Sequence, residues 1–468
     1  MAFLALFAAF ALRNLEPLTF PTILAEDGGW FETVARDGPL AAGLTVRPGF
    51  PVLGLTLLQS VAILAIDLFF SGDVFHLPAA YFVAANAFLA GLALFMFCVL
   101  RRFLSAAASL GVVVATVLMP VGNDGNEIFG RILNLVFLFP PLTFLLLVEI
   151  SRGRRSWAAL LVLVIVLLVC LMTLPVALLV VVAWLALALI LQVAPRGAPD
   201  PSASAAPFMS WASERSYGWL LIGIVAAGVA TTALLLPSDV LTHRGGATTP
   251  IALGAMIEFA LARTVLYPFV AAFYQQLNDA ATLALTALYA AVCLFALAQQ
   301  VRARGLNDRA LLLVFAAMCL GCQVLALAVF RPGLSSLFDH YRSTFPDRYF
   351  YGVNVTSVVV LAIALDGLVA RRARMIAGSV AALLVASGFI AHARQIVELS
   401  RPAVTWREQG DIAQMTCAFA RGALPTKPDA NATRVAIPIY PWAPGNVWSI
   451  VVTRDQYELF VRRHCAPV

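Results

Sequence analysis

Residues 50 to 70 read FPVLGLTLLQSVAILAIDLFF, and whether that run crosses a membrane decides how the rest of the chain is threaded. It is long enough to cross: about 20 helical residues at 1.5 Å each cover the roughly 30 Å hydrocarbon layer. Residues 79–100 are long enough too, and comparable apolar runs recur to about residue 395. With 468 residues, 61% of them hydrophobic and 12% charged, the chain lies outside the range of water-soluble domains and reads as a polytopic membrane protein. The net charge of +6 does not point to nucleic acid. Its arginines sit in short clusters between apolar runs, as the positive-inside bias predicts.

Those clusters set the sides. Arg101-Arg102, Arg152 with Arg154-Arg155, Arg302 with Arg304 and Arg309, and Arg371-Arg372 with Arg374 are expected in the cytoplasm. Runs 104–121 and 132–150 join the first two clusters, and 157–172 and 175–194 lead to the Pro/Ala/Ser-rich stretch 195–216, read as a cytoplasmic linker. Runs 217–237 and 280–299 reach the Arg302 cluster only if 238–279 stays outside, with MIEFALARTVLYPF (256–269) as an interfacial helix. Runs 310–330 and 349–370 enclose an outside loop, and 375–393 leads outward.

The first segment lacks a basic leader and a small-residue cleavage site, so it reads as a retained signal-anchor and first span. Glu26 and Asp27 then lie outside, and an odd number of spans separates them from Arg101. Either the arginine rule fails here, or one of the runs 50–70 and 79–100 stays out of the membrane interior. The first carries Pro51, Gln59 and Asp67 and follows Arg47-Pro48-Gly49, which makes it the in-plane helix. The expected fold is an all-α bundle of about eleven transmembrane helices over residues 1–395, with a first outer loop at 21–78 holding membrane-parallel helices. Residues 396–468 form a small extracytoplasmic α+β lobe, with a helix in TWREQGDIAQMTCAFARG and alternating strands in RVAIPIYP and VWSIVVT. Cys417 and Cys465 of this lobe are candidates for a disulfide if it lies outside the cytoplasm. Trp406, Trp442 and Trp448 read as core residues or as flat platforms for a sugar.

Immediately after the first apolar run stands LAEDGGWFETVARDG, residues 24–38. Asp27 caps the helix WFETVARD, which Gly38 ends, or the adjacent Glu26 and Asp27 form a carboxylate pair at membrane depth, where desolvation favours proton abstraction. Gly28 and Gly29 allow a close approach of substrate or backbone. On the same face lies a second acidic loop, VGNDGNEIFGR, with Asp124 and Glu127.

This order of features resembles the GT-C glycosyltransferases, membrane enzymes that use polyprenyl-phosphate-linked sugars. In that superfamily an acidic motif follows the first span, helices parallel to the membrane come next, and a second acidic loop joins spans three and four. Arg47-Pro48-Gly49 resembles the basic-Pro-Pro element of aminoarabinose transferases, with Gly49 in place of the second proline. FPDRYFYGVN, residues 345–354, is similar to the RYF-type segment of bacterial members that begin with an EDG loop. The resemblance covers most of residues 1–370.

It implies an inverting transferase, facing the periplasm from the bacterial inner membrane, that moves a sugar from a polyprenyl-phosphate carrier to a cell-envelope glycan or lipid. Asp27 would be the base, with Glu26 as the alternative. Arg47, Arg131, Arg342, Arg348 and Tyr349 would face the lipid phosphate, where arginine's fork suits phosphate oxygens. No DxD or ExD pair occurs in the second acidic loop, so a metal-independent enzyme is expected, a divalent cation on Asp27, Asp124 and Glu127 being the alternative. The partners implied are the lipid-linked donor, the acceptor and the bilayer, not nucleic acid. The rival reading is a transporter or flippase of a lipid-linked glycan, which would place ionisable groups deep in several spans.

Overall fold

The computed structural model describes residues 1–23, 25–47, 51–121, 128–152, 156–174, 176–193, 215–235, 253–330, 340–342, 347–368, 370–393, 410–423, 433–443 and 446–465. The chain begins with α1 (Ala2–Ala11), α2 (Glu16–Thr19), α3 (Ala25–Gly29), α4 (Phe31–Thr45), α5 (Leu53–Phe70) and α6 (Leu77–Leu100). Then come α7 (Ala106–Leu118), α8 (Phe139–Ile150), α9 (Trp157–Leu171), α10 (Val176–Val193) and α11 (Arg215–Leu235). A segmented helix follows: α12 (Leu253–Ile257), a π-helical stretch Glu258–Leu266, α13 (Tyr267–Val270) and a 3-10 turn Ala271–Gln276. Beyond it lie α14 (Asp279–Arg304), α15 (Asp308–Phe330), α16 (Tyr351–Asp366) and α17 (Arg371–Ala391). The tail holds α18 (Ile412–Ala420), the antiparallel hairpin β1 (Arg434–Ala443) and β2 (Asn446–Thr453), and α19 (Arg454–His464).

Local chemistry accounts for several boundaries. Ser105, Ser156 and Asn278 cap α7, α9 and α14 through side-chain oxygens. Asp411 with Gln414 and Thr453 with Gln456 form capping boxes at the two tail helices. Gly38, at φ +76°, breaks α4 after Asp37, and Pro39 restarts it.

Among the described residues seven helices are long and apolar enough to cross a membrane: Leu53–Phe70, Val74–Leu100, Leu133–Ile150, Leu253–Gln276, Asp279–Ala303, Asp308–Ala328 and Arg371–Ala391. Six shorter apolar helices accompany them, Ala2–Ala11, Ala106–Leu118, Trp157–Leu171, Val176–Gln192, Gly218–Ala230 and Tyr351–Asp366. The protein is thus a mostly helical, membrane-embedded bundle with a two-stranded sheet in its tail. The eleven runs expected to cross fall on five of the seven long helices and on the six shorter ones. The other two long helices are α5 and Leu253–Gln276, the ones that charge parity kept at the interface. Helix length and composition do not separate those two from the crossing set, so the count of about eleven does not follow from the helices themselves.

Two compact units share the chain: Met1–Gly91 with Asp124–Val136 and Ala393–Val468, and Leu92–Asn123 with Phe137–His392. In the second unit α16 is buried along nearly its whole length, whereas α14 and α17 expose Leu283, Leu288, Leu294, Met375, Ile376 and Leu383. Exposed apolar side chains along helices this apolar fit a lipid environment. At one end of this unit the loops between helices meet. Arg102 pairs with Glu149 at 2.8 Å, and Arg152 pairs with the same carboxylate at 3.2 Å. Asp366 accepts from the Ser105 hydroxyl at 2.6 Å and pairs with Arg309 at 3.5 Å, while Arg374 reaches its carbonyl at 3.4 Å. Four arginine-bearing loops expected on one side are therefore gathered at one end of the unit. At the opposite ends of α7 and α16, Tyr351 donates to the Thr116 carbonyl.

Candidate active site around the buried Asp27

Helix α3 is a single turn, so its carbonyls have no following turn to bond and must find other donors. The Asp27 carbonyl accepts from Gln59 Nε2 of α5 at 3.3 Å and from the Tyr81 hydroxyl of α6 at 3.2 Å. Gln59 and Tyr81 are themselves buried, and Asp27 is 1% exposed. The carboxylate therefore sits out of water on a helix held by its own backbone.

The other wall of α3 is the tail hairpin. A Cβ added at Gly28 would lie 2.3 Å from Ile439 Cδ1 and 2.7 Å from Ile23 Cγ2. At Gly29 the nearest atoms are on the Trp448 ring, at 3.8 Å. The glycines give room to the tail of the same chain, where the sequence suggested substrate or backbone. Further contacts fix the tail here: Arg434 pairs with Glu32, the Ile412 N–H donates to the Pro21 carbonyl at 2.9 Å, and Asp73 meets His464 at 3.0 Å and Arg463 at 3.2 Å. The Phe75 ring stacks on His464. Burial by itself raises the Asp73 carboxyl, but His464, the Phe75 N–H and Arg463 together hold it below its ordinary value. Cys417 and Cys465 are joined in a disulfide that ties α18 to the end of α19.

Asp27 does not cap the following helix. It lies inside α3, and α4 starts after Trp30 without a side-chain cap. Glu26 shares α3, but its side chain is outside those described. Five residues upstream, Thr22 is gripped by Arg131, which donates to its carbonyl at 2.5 Å and its hydroxyl at 2.8 Å, and pairs with Glu16 at 2.5 Å. Arg131 and Glu16 are each 1% exposed. Burial pushes the Glu16 carboxyl up, against the pull of Arg131. The expected phosphate-facing Arg131 is thus a strut beneath the segment that leads into α3. Arg47, just past the end of α4, is half-exposed.

Asp124 and Glu127 lie outside the described residues, as do the placements of Trp406 and of the Trp442 side chain. Arg342, Arg348 and Tyr349 belong to the second unit. Arg342 is exposed and its carbonyl accepts from Gln275; the Arg348 guanidinium lies 5.1 Å from the Tyr349 ring centre, and that ring meets Phe137 edge-on. Among the described residues no group of three or more His, Cys, Asp or Glu could hold a metal ion.

Sequence reasoning missed a second polar cluster. In the π-helical stretch Glu258 and Arg263 are both fully buried. Glu258 accepts from the Tyr274 hydroxyl at 2.7 Å and the Tyr341 N–H at 3.0 Å, and Arg263 lies 3.9 Å from the Tyr267 ring centre. π-Helical turns gather at functional sites, but the spacing of MIEFALAR gives no hint of one. No family model matches this chain, and no curated protein matches it.

Proposed function

We propose that the chain is an inverting, GT-C-type glycosyltransferase of a bacterial cytoplasmic membrane. It moves a sugar from a polyprenyl-phosphate carrier to a cell-envelope glycan or lipid on the outer face. The observation that carries the reading is the buried Asp27 on a one-turn helix directly after the first apolar segment, gripped from α5, α6 and the tail. A carboxylate so fixed needs little reorganisation to take a proton. In the proposed step Asp27 removes the proton of an acceptor hydroxyl, the oxygen attacks the anomeric carbon, and the bond to the phosphate oxygen breaks with inversion. The electron pair leaves on the polyprenyl phosphate, an anion that needs no strong acid. Arg47 is the phosphate-facing cation of this unit, and Arg131 acts from beneath by positioning Thr22. Glu26 stays the alternative base.

The threading that goes with this function has about eleven crossings, the arginine end inside, and α5 and Leu253–Gln276 at the outer interface. The hairpin residues Ile439, Ile450 and Trp448 cover the acid helix, so a substrate must displace them to reach Asp27.

One observation favours a second reading, a flippase of a lipid-linked glycan. Glu258 and Arg263 are ionisable groups buried in a broken helix long enough to cross, the pattern of transport sites. Purified protein in vesicles loaded with a panel of polyprenyl-phosphate sugars and supplied with cell-envelope glycan and lipid acceptors separates the two. The transferase reading expects release of polyprenyl phosphate; leaflet exchange of intact donor with no release would sink it.

A further inference from the structure

The arginine end of the second unit holds more cations than its acids engage. Among the described residues the acids there are Glu149, Asp308 and Asp366. Glu149 is shared by Arg102 and Arg152, and Asp366 is taken up by Arg309 and the Ser105 hydroxyl. Arg302, Arg371 and Arg372 are exposed, and none of them bonds to a described residue. Arg371 and Arg372 stand in the first turn of α17, at the positive end of the helix dipole, so their own helix does not favour them there.

The two groups of free cations lie on elements that touch. A Cβ at Gly367 would collide with the Gln300 amide nitrogen, so the last turns of α14 lie against the junction that leads into α17. Arg302 follows Gln300 by two residues, and Arg371 follows Gly367 by four. Each cation also shares a helix face with an apolar side chain. Phe295 precedes Arg302 by seven residues, and Met375 and Ile376 follow Arg371 and Arg372 by four, spacings that bring each pair to one face. Phe295, Met375 and Ile376 are all exposed. On both helices about 6–10 Å along the axis separates exposed cation from exposed apolar surface. A phospholipid carries its groups in the same order: charged phosphate, short glycerol link, acyl chain.

We infer that this end of the second unit binds an anionic phospholipid, its phosphate between Arg302 and the Arg371-Arg372 pair and its acyl chains along Phe295, Met375 and Ile376. Arginine's fork suits phosphate oxygens, and a headgroup without a cation of its own leaves them the full negative charge. Loop charge bias explains why arginines gather at this end; the lipid explains why these three, and not their neighbours, are left without an acid. The site goes beyond the transferase reading and does not depend on it.

The test titrates the full chain, purified in lipid-free detergent, with dioleoylphosphatidylglycerol and dioleoylphosphatidylcholine, and counts bound lipid by native mass spectrometry. Inorganic phosphate serves as competitor. Wild type should bind phosphatidylglycerol about tenfold or more tightly than phosphatidylcholine, and millimolar phosphate should not displace it. Arg302→Gln, and Arg371→Gln combined with Arg372→Gln, should each weaken that binding about fivefold or more. Arg101→Gln removes an exposed arginine of the same end that is bonded to the Leu104 carbonyl, and should change it by less than about twofold. All of these proteins should unfold at the wild-type midpoint before lipid is added, because the arginines removed hold no other element. Equal affinity for the two lipids overturns the inference. So does equal weakening by Arg101→Gln, which would mark a general attraction of charge. Displacement by phosphate would mark an anion site without acyl contacts and overturns it too, as does a variant at Arg302 or Arg371-Arg372 that fails to fold, which would make those arginines structural.

Discussion

At the scale of single residues, the acid-rich stretch after the first helix owes its form to three small facts. Gly28 has no room for a side chain, Asp27 offers a carbonyl that its own helix cannot use, and Thr22 is tied down from below. Gly28→Val is expected to lose about 1–3 kcal/mol through overpacking against Ile23 and Ile439, read as a lower unfolding midpoint of the tail lobe. Arg131→Met should cost more, about 3–5 kcal/mol, because it strands the buried Glu16 carboxylate. The double variant Arg131→Met with Glu16→Leu should recover most of that loss. If the single variant were as stable as wild type and lost only lipid binding, Arg131 would face the phosphate after all. Its position beside an acidic loop was legible in the sequence. Its commitment to Glu16 was not, because that pair joins residues 115 apart along the chain.

Among elements, the decisive relation is between the tail and the first outer loop. Residue types and alternation revealed the two tail strands and the helix before them, since these are local patterns. That the hairpin lies on α3 is a long-range contact, which no local pattern encodes. Even the two glycines, read as room for a substrate or for backbone, belong to this packing. The Asp73 contact with α19 makes a pH prediction. Its carboxyl is held below the ordinary 3.8, so the contact contributes fully above that value and is lost as pH falls through the lowered one. Hydrogen exchange in α19 should therefore be slow and flat from neutral pH down to about 4 and rise below it, after correction for intrinsic rates. Asp73→Asn should show the faster exchange already at neutral pH. An identical profile for both proteins would remove Asp73 as the anchor.

On the scale of the whole molecule, composition alone revealed a membrane bundle, and the arginine clusters picked out loops that do meet at one end of the second unit. Parity then singled out two helices as non-crossing, and length and composition alone do not exclude either from crossing: α5 and Leu253–Gln276 are both long and apolar enough, though Leu253–Gln276 has the lowest mean hydropathy of the seven, 1.5. What sets the second apart is its buried Glu258 and Arg263. Those two side chains lie on a π-helical stretch that a regular helical period does not anticipate. The catalytic claim returns to one carboxylate. The most direct measurement is the rate of polyprenyl phosphate release by wild type, Asp27→Asn and Glu26→Gln, each first shown to unfold at the same midpoint. A base contribution of roughly 10²–10⁴-fold predicts near-complete loss in Asp27→Asn and a substantial rate in Glu26→Gln. Equal rates in all three proteins would contradict the account.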